Sequence, residues 1–204
     1  MKKENSDIII KTVNESDADE LLKIYAPYVE NTAITFEYNV PGISEFKSRI
    51  TNTLKKYPYL KAVRDSEIIG YAYLGAFKER DAYIHSAETS IYVKQNVRRS
   101  GAGRTLYEAV EKTAKMQNIL NLNACIGVPR IEDEHLTLDS VKFHEKLGYT
   151  LVGKFNFSGY KFGTWYDMIW MEKMLGEHTD SPAEFRAFNT LTKDELASAG
   201  IDAE

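Results

Sequence analysis

At 204 residues, with 43% hydrophobic and 12% aromatic side chains, the chain is long enough to bury a full core as one domain with a modest appendage. A net charge of -4 excludes the broad cationic surface that nonspecific nucleic-acid binding needs, so no nucleic-acid partner is expected. One cysteine, Cys125, excludes an internal disulfide and a Cys-rich zinc site; the apolar run Ile8-Ile9-Ile10 stops at Lys11, too short for a signal-peptide core or a membrane span, and a cytoplasmic protein is the expectation.

In chain order, Asp7 to Val13 reads as a first strand, and Ser16 or Asp17 is placed to cap a helix whose apolar positions Leu21, Leu22, Ile24, Tyr25 and Val29 recur at helical spacing. Pro27 is expected to end or kink it. The Thr- and aromatic-rich stretch Asn31 to Tyr38 has no helical period and leads to Pro41-Gly42, as an ordered loop or short extended piece would. Ser44 opens a second helix through about Lys56, with Phe46, Ile50 and Leu54 on one face, and Pro58 stops it. Leu60 to Arg64 and Ile68 to Phe77 read as a hairpin around Asp65-Ser66, the second strand apolar on both alternating sets and therefore covered on both faces.

A strand from Ser86 to Val93 precedes a helix with Leu106, Ala109, Val110, Thr113, Ala114 and Gln117 on one side. Then come a strand from Leu120 to Ile126, a short helix capped by Asp139 or Ser140, and Gly148 as its left-handed C-terminal residue. Thr150 to Phe157 and Trp165 to Met174 read as final strands joined by a loop, Ser158 to Thr164. The order predicts an α/β fold: a mixed sheet flanked by helices, a single domain over residues 1–176. Residues 177–204 turn polar and read as a tail that packs through Phe185, Phe188, Leu191 and Leu196 on the domain or a partner, or is disordered.

The stretch Glu88 to Ala114 organises the rest. A strand run, Ile91-Tyr92-Val93, passes through a basic Gly-containing turn, Arg98-Arg99-Ser100-Gly101-Ala102-Gly103-Arg104, into the helix. Backbone N–H groups at a helix start have no intrahelical partner and the helix dipole adds positive potential there, so this design holds anions such as a pyrophosphate. The spacing fits neither a P-loop nor a dinucleotide fingerprint, and solvated arginines on an ordinary strand-to-helix turn are the plainer alternative.

Acyl transfer to an amine needs a base, an oxyanion donor and a proton for the leaving group. Glu88, at the start of the strand leading to the anion loop, is a candidate base, though a carboxylate there also suits plain solvation. Backbone N–H groups around Tyr92 and Val93 can polarise a thioester carbonyl if this strand splays from its neighbour. Tyr107, one turn into the helix, is a candidate acid or an amphipathic flank residue, and His144 serves proton transfer or the orientation of Glu88, or is a packed or surface residue. Cys125, between Ala124 and Ile126, reads as a buried small apolar residue. Lys78, Arg80 and Tyr83 form a clamp for an anionic group on the acceptor, or a solvated loop. His85, His135 and His178 lack metal-ligand spacing, so no metal is expected.

Arg98-x-x-Gly101-x-Gly103 after Ile91-Tyr92-Val93 resembles the acetyl-CoA-binding motif of the GNAT superfamily of N-acetyltransferases. Over residues 8–174 the chain is similar to the phosphinothricin N-acetyltransferase family. The likeness is carried by Ile24 to Val29, Thr35-Phe36-Glu37, Phe77 to Tyr83, Glu88 to Val93, the Arg98 to Gly103 loop, His144 to Tyr149 and Gly159 to Asp167. The resemblance implies a GNAT-type sheet and a homodimer. It implies Glu88 as general base with His144 assisting, and acetyl-CoA held by Ile91, Tyr92, Val93, Arg98 and by Arg99, Ser100, Gly101, Ala102, Gly103, Arg104 and Thr105, with Ser140 near the pantetheine. It further implies that Phe36, Lys78, Arg80 and Tyr83 face a small amino-acid-like acceptor such as phosphinothricin, methionine sulfoximine or methionine sulfone. An acidic segment after Pro129, and Asp139 in place of an asparagine, depart from the family pattern at the pocket rim. The alternatives are a non-catalytic acyl-CoA sensor and transfer to a different amine, such as a peptide N-terminus.

Overall fold

The structure is a computed structural model that describes residues 7–97 and 100–202. Strand β1 (Ile9–Thr12) leads to a short 3₁₀ turn and then α1 (Ala18–Asn31). Asn14, not Ser16 or Asp17, does the capping: its side chain accepts the Ser16 N–H at 2.9 Å, and Asp17 accepts the Asn14 N–H at 2.8 Å. An asparagine oxygen serves the free N–H groups as well as a serine or aspartate oxygen does, and the extra turn moves the cap upstream. Pro27 lies inside α1 without ending it. The N–H that proline lacks would have served the carbonyl of Lys23, an exposed residue that water reaches, while buried Ile24, Tyr25, Tyr28 and Val29 anchor the turns on either side.

After α2 (Ile43–Leu54), the hairpin of β2 (Tyr59–Arg64) and β3 (Glu67–Ala76) turns through Asp65 and Ser66, both at positive φ. Then follow β4 (Ser86–Val93), α3 (Ala102–Met116), β5 (Asn121–Val128) and α4 (Asp139–Lys146). No side chain caps the start of α4, so neither Asp139 nor Ser140 has that role. Its end is as expected: Gly148 has φ +88°, and the Gly148 and Tyr149 N–H groups return to the Glu145 and His144 carbonyls, each at 3.0 Å.

The last hairpin departs from expectation. Strands β6 (Thr150–Lys161) and β7 (Thr164–Met174) run on through the expected loop to a two-residue turn at Phe162 and Gly163, whose φ values of 51° and 72° match the twist of the strands. A bulge between Phe155 and Gly159 lets β6 continue, and Asp167 of β7 holds it by accepting the Phe157 N–H at 2.8 Å.

Among the described residues eight strands form one mixed sheet in the order β6-β7-β5-β4-β3-β2-β1-β8, with β8 (Ile201–Asp202) reached through α5 (Lys193–Ser198). Only β4–β5 and β1–β8 are parallel. Helices α1 and α2 cover one face, packing on Tyr59, Ile68 and Tyr71; α3 and the C-terminal segment share the other core with Leu60, Leu74 and Leu122. That segment docks on the domain. Phe188, Leu191, Leu196 and Ile201 are buried, the Gln117 amide donates to the carbonyls of Lys56 (2.6 Å) and Arg186 (2.9 Å), and Ile201 registers with Ile10.

Candidate active site

Strands β4 and β5 are paired at Ser86, Ala87 and Glu88 and then part, although both continue for several residues. The last link is made by side chains: Thr89 Oγ1 donates to the Asn123 carbonyl at 3.2 Å and Asn123 Nδ2 to the Ala87 carbonyl at 3.3 Å. Beyond this point, among the described residues, β4 has no strand partner but β3; its other edge, from Ser90, borders a gap inside the sheet, and at the far end the Val93 carbonyl accepts from the Tyr28 hydroxyl at 2.6 Å. A cavity of about 70 Å³ occupies the gap, lined by Thr89 to Tyr92, Ala124 to Gly127, Tyr107, Ser140 and His144. Strand alternation divides the candidates between two faces. Thr89 and Ile91 point toward α3 and α4; Glu88, Ser90 and Tyr92 point toward α1 and α2, where the Tyr92 ring meets Tyr25 and Tyr28 edge-on.

On the α3 side the Tyr107 hydroxyl stands 2.8 Å from His144 Nε2 and 3.2 Å from Thr89 Oγ1. His144 Nδ1 lies 2.8 Å from the Ser140 carbonyl, which can only accept, so Nδ1 carries the proton and Nε2 accepts from Tyr107. Burial lowers the His144 pKa, the Ser140 bond only partly opposing it, and burial pushes the Tyr107 hydroxyl well above the usual tyrosine range. Both groups are therefore neutral at physiological pH. The structure brings His144 to Tyr107 and Ser140; it does not bring it to Glu88, which lies on the opposite face of β4.

On the other face Glu88 is half-buried and has no hydrogen-bond partner among the described residues. Desolvation raises its pKa, and the nearby Lys78 charge pulls part of that back. The Lys78 ammonium lies 5.0 Å from the centroid of Phe77 and 5.4 Å from that of Trp170. Tyr83 meets Phe77 edge-on at 5.8 Å, while Arg80 is exposed at the start of a 3₁₀ turn. Cys125 is exposed here, contrary to its reading as buried: its neighbours Ala124 and Ile126 take the core side, and alternation turns the thiol toward Glu88. Desolvation, then the Glu88 charge, pushes that thiol up to about 11, which leaves it un-ionised.

Phe36 packs over Gly127 and Gly159 near the same end of the gap. A Cβ at Gly159 would fall 2.3 Å from the Phe36 ring, so the ring keeps this place only while residue 159 is glycine. Gly159→Ala is expected to displace the ring, costing about 1–3 kcal/mol in thermal unfolding and raising the acceptor KM more than that of the acyl donor. A variant with unchanged melting and kinetics would show that Phe36 does not shape the acceptor end.

At the start of α3, Gly101 has φ +90° with open space around it, a conformation that a side chain would strain. Gly103 has a different reason: a Cβ there would press on the Phe143 ring at 3.2 Å, so the residue brings α3 close to α4. Ser100 Oγ accepts from the Ala102 N–H at 3.4 Å, Thr105 Oγ1 donates to the Gly101 carbonyl at 3.2 Å, and exposed Arg104 faces Glu108 at 4.0 Å. Arg98 and Arg99 lie outside the described residues. Among the described residues no side chain caps the start of α3 beyond Ser100, and the N–H groups of a helix's first turn have no partner within the helix. Thr89 and Trp170 carry no sequence signal for these contacts: Thr89 meets Asn123 across the parting strands and Trp170 meets Phe77 and Lys78, neighbours that only the assembled sheet supplies.

Residues 10–170 match the family described as the acetyltransferase (GNAT) domain. The chain belongs to the GNAT acetyltransferases. As an N-acetyltransferase of this family it is 30% identical over 168 residues to the phosphinothricin N-acetyltransferase of Streptomyces viridochromogenes, covering 82% of this chain and 88% of that one. It is 26% identical to the L-methionine sulfoximine/L-methionine sulfone acetyltransferase of Salmonella typhimurium, over 83% of this chain and 95% of that one. Among solved structures, the GNAT phosphinothricin acetyltransferase of Sinorhizobium meliloti in complex with AcCoA superposes with a TM-score of 0.79 at 29% identity, covering 87% of this chain and 94% of that one.

Proposed function

We propose that this acetyltransferase uses acetyl-CoA to acetylate the amino group of a small amino-acid-like acceptor by direct transfer, with Glu88 as general base. One observation carries the reading: the parting of β4 and β5 leaves a carboxylate, Glu88, and a hydroxyl, Tyr107, on opposite sides of one gap. Acetyl-CoA, when bound, supplies the activated acetyl thioester. The edge of β4 from Ser90 to Val93 that faces the gap and the first turn of α3 would hold it, the former offering main-chain groups that β5 leaves unpaired, the Val93 carbonyl held by Tyr28 excepted, to the pantetheine amides and the latter N–H groups to the phosphates. Glu88 takes the amine proton, directly or through water, and Tyr107 rotates its O–H from His144 toward the gap to protonate the departing sulfur. Lys78 answers the acceptor's carboxylate. The acceptor class is supported by the names of the relatives, which act on phosphinothricin and on methionine sulfoximine and sulfone. The proposal includes a homodimer, supported by the apolar side chains Leu151, Val152, Phe155 and Phe157 that the edge strand β6 leaves exposed.

The test is free-thiol release from acetyl-CoA across phosphinothricin, methionine sulfone, methionine sulfoximine, glutamate, methionine, an aminoglycoside and a short peptide. Saturable turnover confined to the amino-acid-like acceptors is the expected result. Turnover of the peptide or aminoglycoside alone would overturn the acceptor class, and acetyl-CoA binding with silence across the panel would favour a sensor.

A further inference from the structure

Lys78 belongs to the exposed connection between β3 and β4, where a four-carbon side chain would ordinarily sample water freely. It makes no ion pair with a carboxylate among the described residues, yet it is not free. The rings of Phe77 and Trp170 meet edge to face, 5.4 Å apart at 84°, and the ammonium rests in the corner between them, 5.0 Å and 5.4 Å from the two centroids. Trp170 comes from β7, where it registers with Cys125 of β5; Glu88 of β4 registers with Asn123 two residues back on the same face. Three strands thus bring the indole and the carboxylate to one wall, and Lys78 folds in over it. The groups facing Glu88 are Tyr73 from β3, Lys78 from the connection and Cys125 from β5; Tyr107 and His144 lie on the far face.

We propose that Trp170 is a positioning residue for acceptor recognition: with Phe77 it holds the Lys78 ammonium beside Glu88, so that an acceptor's carboxylate is drawn to the spot that places its amine on the base. This deepens the reading under Proposed function and rests on it. Two rings fix the cation's place without neutralising it, as a carboxylate partner would, and so the positive charge stays available to an anionic substrate. Lys78 also favours the ionised form of Glu88, so one held cation serves both recognition and the population of the base form.

The experiment compares wild type, Trp170→Leu, Lys78→Met, the double variant and the conservative Trp170→Phe on methionine sulfone and on its carboxamide, which keeps the amine and lacks the carboxylate. Trp170→Leu is expected to lower the preference for the carboxylate acceptor about fivefold through KM, Lys78→Met to lower it further, and Trp170→Phe to restore most of it. If Trp170 acts through Lys78, the double variant matches Lys78→Met alone. The acid limb of the kcat/KM profile moves to higher pH in Lys78→Met, since the cation that favours the Glu88 carboxylate is gone, and by less in Trp170→Leu. Equal losses on both acceptors, or additive losses in the double variant, would overturn the proposal. A wild type that acetylates neither acceptor would instead overturn the function on which it rests. In that case carboxyl-labelled NMR titration of Glu88 still decides: a higher pKa in Trp170→Leu than in wild type supports the held cation, and identical titrations overturn it.

Discussion

Glu88→Gln is expected to reduce kcat/KM by about 10²- to 10⁴-fold while acetyl-CoA affinity, read by calorimetry, stays within about twofold of wild type. Glutamine keeps the size and polarity of the side chain and removes its basicity together with its negative charge. The carboxylate sits on the face of β4 away from Tyr107, so its loss leaves the donor side of the gap intact. The pH profile provides a second check. Partial burial raises the Glu88 pKa, so the base form is gained as pH rises through a value above that of an ordinary glutamate and is lost as pH falls through it. Wild-type kcat/KM should carry that limb and Glu88→Gln should lack it. Full activity in the variant would remove Glu88 from the mechanism.

The largest effect on stability is expected at Lys161. Its ammonium is buried at the tip of the β6–β7 hairpin and donates to three carbonyls, those of Val29 at 2.7 Å, Thr32 at 2.8 Å and Thr35 at 2.9 Å. One side chain thereby closes the end of α1 and fixes the loop that carries Phe36. Lys161→Met keeps the packed stem and leaves those acceptors without a donor; at about 1–3 kcal/mol for an unsatisfied buried group, a loss of about 3–5 kcal/mol follows, since relaxation rescues part. Chemical denaturation measures it. A loss below about 1 kcal/mol would mean that water replaces the ammonium and that the clamp is incidental. Lys161→Arg is a poor substitute, because a planar guanidinium does not fit a site built for three converging bonds.

What the sequence made legible was local. The strand, turn and helix around Gly101, the αL residue at Gly148 and the apolar periods of α1 and α3 are each written within a few residues, where spacing and backbone preference act directly. The parting of β4 from β5 was foreseen as a requirement and not as a place, because the Glu88–Asn123 register joins residues far apart in the chain. Lys161 lay in a stretch read as a loop, where a lysine is most simply solvated; only the assembled hairpin delivers it to the carbonyls of α1. Cys125 was misread since its apolar neighbours suggested burial, whereas alternation puts the neighbours in the core and the thiol at the gap. Gly103 carries a constraint that spacing does not show: Phe143 on α4, a nonlocal partner, leaves no room for a side chain there.

The pairing of β8 with β1 has a consequence for how the protein is made. Of the described strands, β1 leaves the ribosome first and β8 last, yet they are neighbours at one border of the sheet. Throughout synthesis the nascent chain therefore displays β1 as an open strand edge, with main-chain groups ready to pair with any other extended segment. The arrival of β8 covers it. A chain cut short by a premature stop keeps the gap and the Glu88 wall but also keeps that edge exposed, together with the core surface vacated by Phe188 and Leu196. Pairing of β8 thus closes this border of the sheet, and chains that stop before it are the ones chaperones and proteases would recognise.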